Sequence, residues 1–199
     1  MGHRETLLEG SMQCLQEKGY AGTTARDITN ASGANLASIG YHYGSKEELL
    51  DEALVEAVKR WFEPLIALAA QAEPDSLLER LHAAIVSLFE TLPANRPLVV
   101  AYLEALVRAE RNEALREQLA RSYHELRLAL AEQLRSALAS QPLPDASRET
   151  IASVICALFD GLIIQWMIDP SRLQAADEVA SALAETVGVL LPERRAPVR

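Results

Sequence analysis

Residues 23–50, TTARDITNASGANLASIGYHYGSKEELL, decide the fold of this chain. Thr24 is placed to cap the start of a helix, with Asp27 three residues later to reach back to the capping residue. Gly33 then interrupts the helical pattern where a turn is expected. Asn35 is placed to cap a second short helix directly after that turn.

The second short helix and the helix after it complete the pattern. Ile39 and Tyr43 recur at helical spacing and are expected to face inward, while the other side chains of this helix face outward. Ser45, with Glu48 three residues later, forms a further capping pattern, so a longer helix is predicted to begin at about Lys46. Two short helices around a tight turn, followed by a third helix, constitute a helix-turn-helix.

A set of residues at fixed spacing makes the motif more specific than a generic helix-turn-helix: Thr23, Thr24, Asp27, Ile28, Ala31, Gly33, Tyr41, His42, Tyr43, Ser45, Lys46 and Glu47. The set resembles the N-terminal DNA-binding domain of the TetR family of transcriptional regulators. Gly40 departs from that family, which more often has a tyrosine or another polar side chain there, and glycine costs the short helix about 1 kcal/mol. Tyr43 replaces the usual phenylalanine and keeps its packing role if its hydroxyl reaches a partner.

The resemblance implies a double-stranded DNA operator as partner, and it implies roles for the matching positions. Those expected to contact phosphates are Thr24, Tyr41, His42 and Lys46, and those expected to face base edges in the major groove are Asn35, Leu36, Ala37 and Ser38. Leu36 and Ala37 have no hydrogen-bonding side chain, so they would read thymine methyl groups. The alternatives are capping for Thr24, a solvated surface position for Lys46 and core packing for His42.

The charge of the chain argues against a strongly basic DNA-binding surface. The net charge is -9, and the first 50 residues carry only four lysines and arginines against six aspartates and glutamates. Non-specific DNA affinity should therefore be modest, and specific binding would rest on a few donors, hydroxyls and helix N-termini. Arg4 is expected to fray with the N-terminus rather than to reach DNA. An alternative function follows from the acidic domain and Gly40: a helical ligand-binding protein that kept the fold but lost specific DNA binding.

Of the whole chain, 49% is hydrophobic, which is ample for a buried core. The long segments between the glycines and prolines are rich in leucine, alanine, glutamate, arginine and glutamine, so an all-α protein is predicted. We expect a three-helix DNA-binding domain over residues 1–50, whose first helix covers 4–18 and ends at Gly19, and a helical bundle over 51–199. Pro64 is expected to bend or end the helix from Lys46 near Glu63. Further helices are predicted over residues 76–91, 96–109, 113–140 and 151–168, with a last helix after residue 171. Ser76 is expected to cap the first of these helices.

The resemblance also implies a role for the C-terminal bundle. It would bind a small-molecule effector of unknown identity, and its last two helices would form a homodimer interface. Polar or aromatic groups that could line a ligand cavity are His82, Tyr102, Arg108, Tyr123, His124, Cys156 and Trp166. Residues 151–168 are apolar enough to suggest a membrane span, but Asp160 at mid-length argues for a helix buried on two sides instead.

Other classes of function find little support in the sequence. The histidines lack paired metal-ligand spacing, and neither a nucleophile elbow nor a phosphate-cradling glycine loop is present, so we expect no enzyme, no metal and no cofactor. Cys14 and Cys156 lie far apart and suit buried thiols in a reducing compartment. The N-terminus has no signal-peptide core, so a cytoplasmic location is expected.

Overall fold

The computed structural model describes residues 2–71, 77–138, 144–171, 177–179 and 181–183. Every regular element in these ranges is a helix: α1 His3–Gly22, α2 Ala25–Ser32, α3 Leu36–Tyr43, α4 Lys46–Gln71, α5 Leu77–Thr91, α6 Arg96–Ala109, α7 Glu113–Ala137 and α8 Asp145–Ile168. The predicted all-α fold class is confirmed. The predicted Ser76 cap and most of the predicted last helix lie outside the described residues.

The chain divides into two compact units. The first contains residues 1–64 and 91–129, and the second contains residues 65–90 and 130–199. The first unit therefore joins the helix-turn-helix to α6 and to most of α7. The boundary expected after residue 50 separates a DNA-binding part of the chain from a ligand-binding part, and it stays a prediction.

The first unit has a continuous apolar core. α1 lies against α2, α3 and α6. A Cβ at Gly10 of α1 would lie 2.9 Å from the backbone nitrogen of Ser32 at the end of α2, so these two helices approach too closely for a larger residue. The largest side chains of this unit that are fully buried are Leu7, Leu15, Ile28, Leu49, Leu50, Leu54, Leu92, Leu98, Val99 and Leu115.

The N-terminal helix differs from the expectation at both ends. Gly19 has a positive φ of 70°, so regular helical geometry breaks there as predicted, although α1 resumes as far as Gly22. Arg4 is not frayed. Its guanidinium forms two hydrogen bonds to the carboxylate of Glu52, at 2.7 and 2.9 Å, and its backbone carbonyl accepts the hydroxyl of Tyr43 at 2.7 Å. This last bond supplies the partner that Tyr43 needs in place of phenylalanine.

The long helix α4 does not end at Glu63. It continues through Pro64 to Gln71, although Pro64 cannot donate to the helical ladder. Leu65, directly after the proline, is buried, and its packing helps to offset the cost of about 3 kcal/mol that an interior proline imposes. The first of the two segments that make up the first compact unit nevertheless ends at Pro64.

The second unit is built from the end of α4, α5, the end of α7 and α8. Its buried apolar side chains include Leu65, Ile85, Leu88, Leu134, Phe159, Leu162, Ile163 and Trp166. Within the described residues, α8 is the one helix long and apolar enough to cross a bilayer by length and composition, with a mean hydropathy of 2.0. Only 33% of the most apolar stretch of α8 is buried within the chain, so much of this helix faces outward.

Candidate nucleic-acid interface

Local hydrogen bonds set the two short helices of the motif. The Thr24 hydroxyl accepts the Asp27 backbone N–H at 3.2 Å, and the Asp27 carboxylate accepts the Thr24 backbone N–H at 2.9 Å. Gly33 ends α2 in the left-handed region with φ 68°, a conformation that glycine adopts without steric cost. The Asn35 side chain then caps α3 by accepting the Ser38 backbone N–H at 2.9 Å. The predicted capping residues are confirmed.

The third helix presents two distinct sides. Ile39 and Tyr43 are buried, as predicted, and fix α3 against the core of the unit. The opposite side consists of residues that lie on adjacent turns and are exposed: Leu36, Ala37, Gly40 and Tyr41. We call these four residues the outward face of α3. Leu36 is 59% exposed and Tyr41 is 86% exposed, unusually high values for large apolar or aromatic side chains.

The polar residues near the start of α3 are occupied by the cap. The carboxamide oxygen of Asn35 accepts both the backbone N–H of Ser38, at 2.9 Å, and the hydroxyl of Ser38, at 3.0 Å. The hydroxyl proton of Ser38 and the carbonyl of Asn35 are therefore already used inside the protein. Base contacts by Asn35 and Ser38 stay a prediction, and they would compete with this cap.

Phosphate contacts were expected from hydroxyl and basic side chains around the motif. Thr24 and Tyr41 are exposed, and His42 is half-buried with its ring 4.8 Å from that of Tyr41 in an edge-to-face arrangement. The ammonium of Lys46 donates to the carbonyl of Thr23 at 3.3 Å and lies 3.4 Å from a carboxylate oxygen of Glu47. Lys46 is thus half-buried and tethered, which places its charge at the junction between α2 and α4.

One exposed cation was not selected from the sequence. Arg26, in the first turn of α2, is exposed, and its guanidinium forms no ion pair or hydrogen bond within the described part of the chain, although its backbone carbonyl accepts the hydroxyl of Thr29 at 3.1 Å. Lys18, by contrast, donates to the carboxylate of Asp27, and Arg4 is bound to Glu52. Arg26 is therefore available for a phosphate contact, but its exposure on a short helix could be recognised only once the fold was known.

The Asp27 carboxylate combines the cap and the ion pair. Hydrogen bonds from the Lys18 ammonium, and then from the hydroxyl and backbone N–H of Thr24, hold the pKa of Asp27 well below its ordinary value. A carboxylate with a lowered pKa in the folded state stabilises that state above its ordinary pKa of 3.8, and this contribution is lost as the pH falls below it.

Asp27→Asn is expected to lower the thermal unfolding temperature near neutral pH, because it removes the charge that Lys18 and the helix N-terminus bind. The difference from the unchanged protein should shrink as the pH is lowered from about 5 to about 2, because the unfolded chain then binds a proton at Asp27 while the folded protein still holds this carboxylate ionised. Thermal unfolding followed by circular dichroism across this range measures the effect. Glu110→Gln, at an exposed carboxylate, is the matched control. A difference that stays constant with pH would contradict this account.

A second polar cluster connects the motif to α6. The guanidinium of Arg108 lies 2.8 Å from the carboxylate of Asp51, and its carbon atom lies 3.7 Å from the centre of the Tyr20 ring. The Tyr20 hydroxyl donates to the same carboxylate at 2.9 Å. Burial, followed by the negative charge of Asp51, raises the pKa of Tyr20 well above its usual range, so the hydroxyl remains a donor. We call these three residues the Arg108 cluster.

The residues proposed to line a ligand cavity are not gathered in one unit. Tyr102 and Tyr123 share a hydrogen bond between their hydroxyl groups in the first unit, where Arg108 is bound to Asp51. In the second unit, His82 lies 3.1 Å from a carboxylate oxygen of Asp177, while Trp166 is buried. A ligand role for these residues stays a prediction. Among the described residues, no group of three or more histidine, cysteine, aspartate or glutamate side chains could hold a metal ion.

Two family models match different parts of the chain. Residues 7–53 match the model described as bacterial regulatory proteins of the tetR family. Residues 77–192, more than half of the chain, match the model described as the C-terminal domain of BetI-type transcriptional repressors. Tyr20 and Asp51 of the Arg108 cluster lie in the first matched region, and Arg108 lies in the second.

Individual relatives agree with these matches. The chain is 28% identical to the HTH-type transcriptional regulator BetI of Agrobacterium fabrum over 92% of this chain and 84% of that protein. It is 27% identical to the HTH-type transcriptional regulator CymR of Pseudomonas putida over 84% of this chain and 82% of that protein. The solved structure of GusR from Salmonella enterica has the same fold, with a TM-score of 0.67 and 24% identity over 95% of each chain. The chain therefore belongs to the TetR family of DNA-binding transcriptional regulators.

Proposed function

We propose that this protein is a cytoplasmic repressor that binds its operator DNA as a homodimer and is released by a small molecule bound in its C-terminal domain. The observation that carries the proposal is the outward face of α3, a helix that begins at the Asn35 cap and packs on the core through Ile39 and Tyr43. Repression is supported by the match of residues 77–192 to a model of transcriptional repressors. This function requires no catalytic group and no cofactor.

In the proposed complex, α3 enters the major groove with its outward face against the base edges. The phosphates on either side of the groove are bound by Thr24, Tyr41, His42 and Lys46, and Arg26 adds a further cation. Asn35, Leu36, Ala37 and Ser38 face the bases. Because the domain carries few free cations, affinity for random DNA is weak, and most of the binding free energy depends on the fit to the operator.

The homodimer is proposed to form through α8 and the helix that follows it. Val154, Gly161 and Ile168 recur at the seven-residue spacing of a helix-packing seam, with Ala157 and Ile164 between them. Val154, Ile164 and Ile168 are exposed in the single chain, and a Cβ at Gly161 would meet nothing within 4 Å. An apolar seam with a glycine at its centre suits close packing against a second copy, and a pairing of this kind also accounts for the apolar character of α8.

The Arg108 cluster is proposed to couple the ligand to the DNA. α6 carries Arg108 and belongs to the region matched to the repressor C-terminal domain, while α1 and α4 carry Tyr20 and Asp51. A ligand that favours another position of α6 would move α1 and α4 through this cluster and change the spacing of the two α3 helices. Each tenfold loss of operator affinity requires that the ligand favour the released state by about 1.4 kcal/mol.

A second function is favoured by the acidic first domain and by Gly40, namely ligand binding without specific DNA recognition. The two functions are separated by selecting binding sites from a library of random DNA duplexes with the purified protein. A repressor dimer enriches a near-palindrome whose half-sites lie about 34–36 Å apart, one turn of the DNA helix. Recovery of unrelated sequences after repeated rounds would refute the proposed function and favour the alternative.

A further inference from the structure

The outward face of α3 is unusual for a surface that reads DNA, because it carries no charged side chain. Leu36, Ala37, Gly40 and Tyr41 are exposed there, and the hydroxyl of Tyr41 is the only hydrogen-bonding side-chain group on this face. Tyr41 lies at the end of the face, and its proposed contact is with a DNA phosphate. The part of the face that would meet the bases is therefore apolar.

Gly40 lies in the middle of this face, one helical turn after Leu36. A Cβ built at Gly40 meets no atom within 4 Å, so nothing inside the protein requires a glycine at this position. Gly10 provides the contrast, because a Cβ there would lie 2.9 Å from the backbone of Ser32. Glycine weakens a short helix, so a glycine without an internal cause points to a close approach from outside.

Two polar side chains flank the face, and the acceptor oxygen of one and the hydroxyl proton of the other are engaged within the protein. Asn35 uses its carbonyl oxygen to cap the helix, and Ser38 donates its hydroxyl proton to that same oxygen. Reading a guanine or adenine edge normally requires two hydrogen bonds from one side chain, as arginine, asparagine or glutamine can form. The outward face offers no free group of that kind.

The major groove displays one apolar group, which is the C5-methyl of thymine. We propose that the outward face of α3 selects thymines in each half-site, with Leu36 and Ala37 against their methyl groups and Gly40 at the point where the DNA comes closest to the helix. This inference rests on the proposed function, because it names the chemistry by which the same surface recognises its operator.

The operator recovered by selection provides the first test. Each thymine is replaced in turn by deoxyuridine, which keeps the base pair and removes only the methyl group. At thymines that face α3, each replacement is expected to weaken binding about fourfold, the effect of losing one buried methyl-sized group. Replacements in the flanking DNA should change affinity less than twofold. If no replacement in either half-site weakens binding of an otherwise tightly bound operator, the inference is wrong and the proposed function stands.

Variants of the protein provide the second test. Gly40→Ala is expected to raise the thermal unfolding temperature, since alanine favours the helix and its Cβ has open space, but to weaken operator binding about tenfold because the methyl fills the gap at the DNA. Leu36→Ala should weaken binding and abolish the effect of the deoxyuridine replacement at one thymine. A Gly40→Ala protein that binds the operator as tightly as the unchanged protein would overturn the role given to Gly40. No binding above random DNA would refute the proposed function itself, and this inference with it.

Discussion

Arg108→Met is expected to lower the free energy of unfolding by about 3 kcal/mol, the low end of the range for breaking a buried ion pair. The side chain of Asp51 is only 8% exposed, and the substitution would leave its negative charge with the Tyr20 hydroxyl as its remaining hydrogen-bond partner in the Arg108 cluster. The loss falls at the low end because Arg108 itself is 33% exposed and partly solvated. Urea denaturation followed by circular dichroism measures it.

Two comparisons make this prediction specific. Arg116 pairs with Glu113 on the exposed surface of α7 at 3.0 Å, so Arg116→Met should cost less than about 1 kcal/mol. In the double variant Arg108→Met, Asp51→Leu, the buried charge is removed together with its partner, and most of the stability should return. A loss for Arg108→Met no larger than that for Arg116→Met would contradict the account of the cluster.

The double variant also tests the coupling proposed for the Arg108 cluster. If the ion pair transmits movement of α6, the stable double variant should bind the operator but respond less to any compound that releases the unchanged protein. Fluorescence anisotropy of labelled operator, titrated with that compound, gives the release curve for both proteins. Identical release curves would leave the cluster with a structural role alone.

Gly161→Arg is expected to dissociate the proposed dimer and to weaken operator binding at least about 100-fold, because two half-sites would no longer be held by one particle. The single chain should tolerate the substitution, since a Cβ at Gly161 has open space. In the dimer, the arginine would instead fall within the seam of Val154, Ile164 and Ile168. Sedimentation equilibrium measures the oligomeric state, and titration with the operator measures the affinity.

Ser136→Arg is the matched control, because it adds the same charge to an exposed position on α7 in the same unit. It should leave the oligomeric state unchanged, and its added positive charge should not reduce DNA affinity. A Gly161→Arg protein that remains a dimer and binds the operator normally would refute the proposed interface.

The helix-turn-helix was predictable because its structure depends on residues close together in sequence. Thr24 with Asp27, and Asn35 with Ser38, are separated by three residues, and each pair forms the expected cap. The burial of Ile39 and Tyr43 followed from helical spacing in the same way. Local hydrogen bonds and helical periodicity can be predicted from the sequence directly, so the position of α3 could be predicted too.

The contacts that were missed join distant residues. Arg4 was expected to fray, but it pairs with Glu52, which is brought near only after α1 packs against the other helices. Arg108 was selected as a possible ligand contact by residue type, yet it meets Asp51 and Tyr20. Pro64 was expected to bend or end its helix, and an end there is wrong, because α4 continues to Gln71 with Leu65 buried directly after the proline. Pairing and burial over such distances depend on the tertiary fold.

The central claim is that α3 and the residues beside it bind a specific operator, and one titration tests it most directly. The purified protein and its Tyr41→Ala, His42→Ala double variant are titrated against the DNA that flanks the protein's own gene and against random DNA, at two salt concentrations. We predict tight, salt-sensitive binding of two protomers to the flanking DNA and its loss in the double variant. Equal affinity of the two proteins for that DNA would contradict the account.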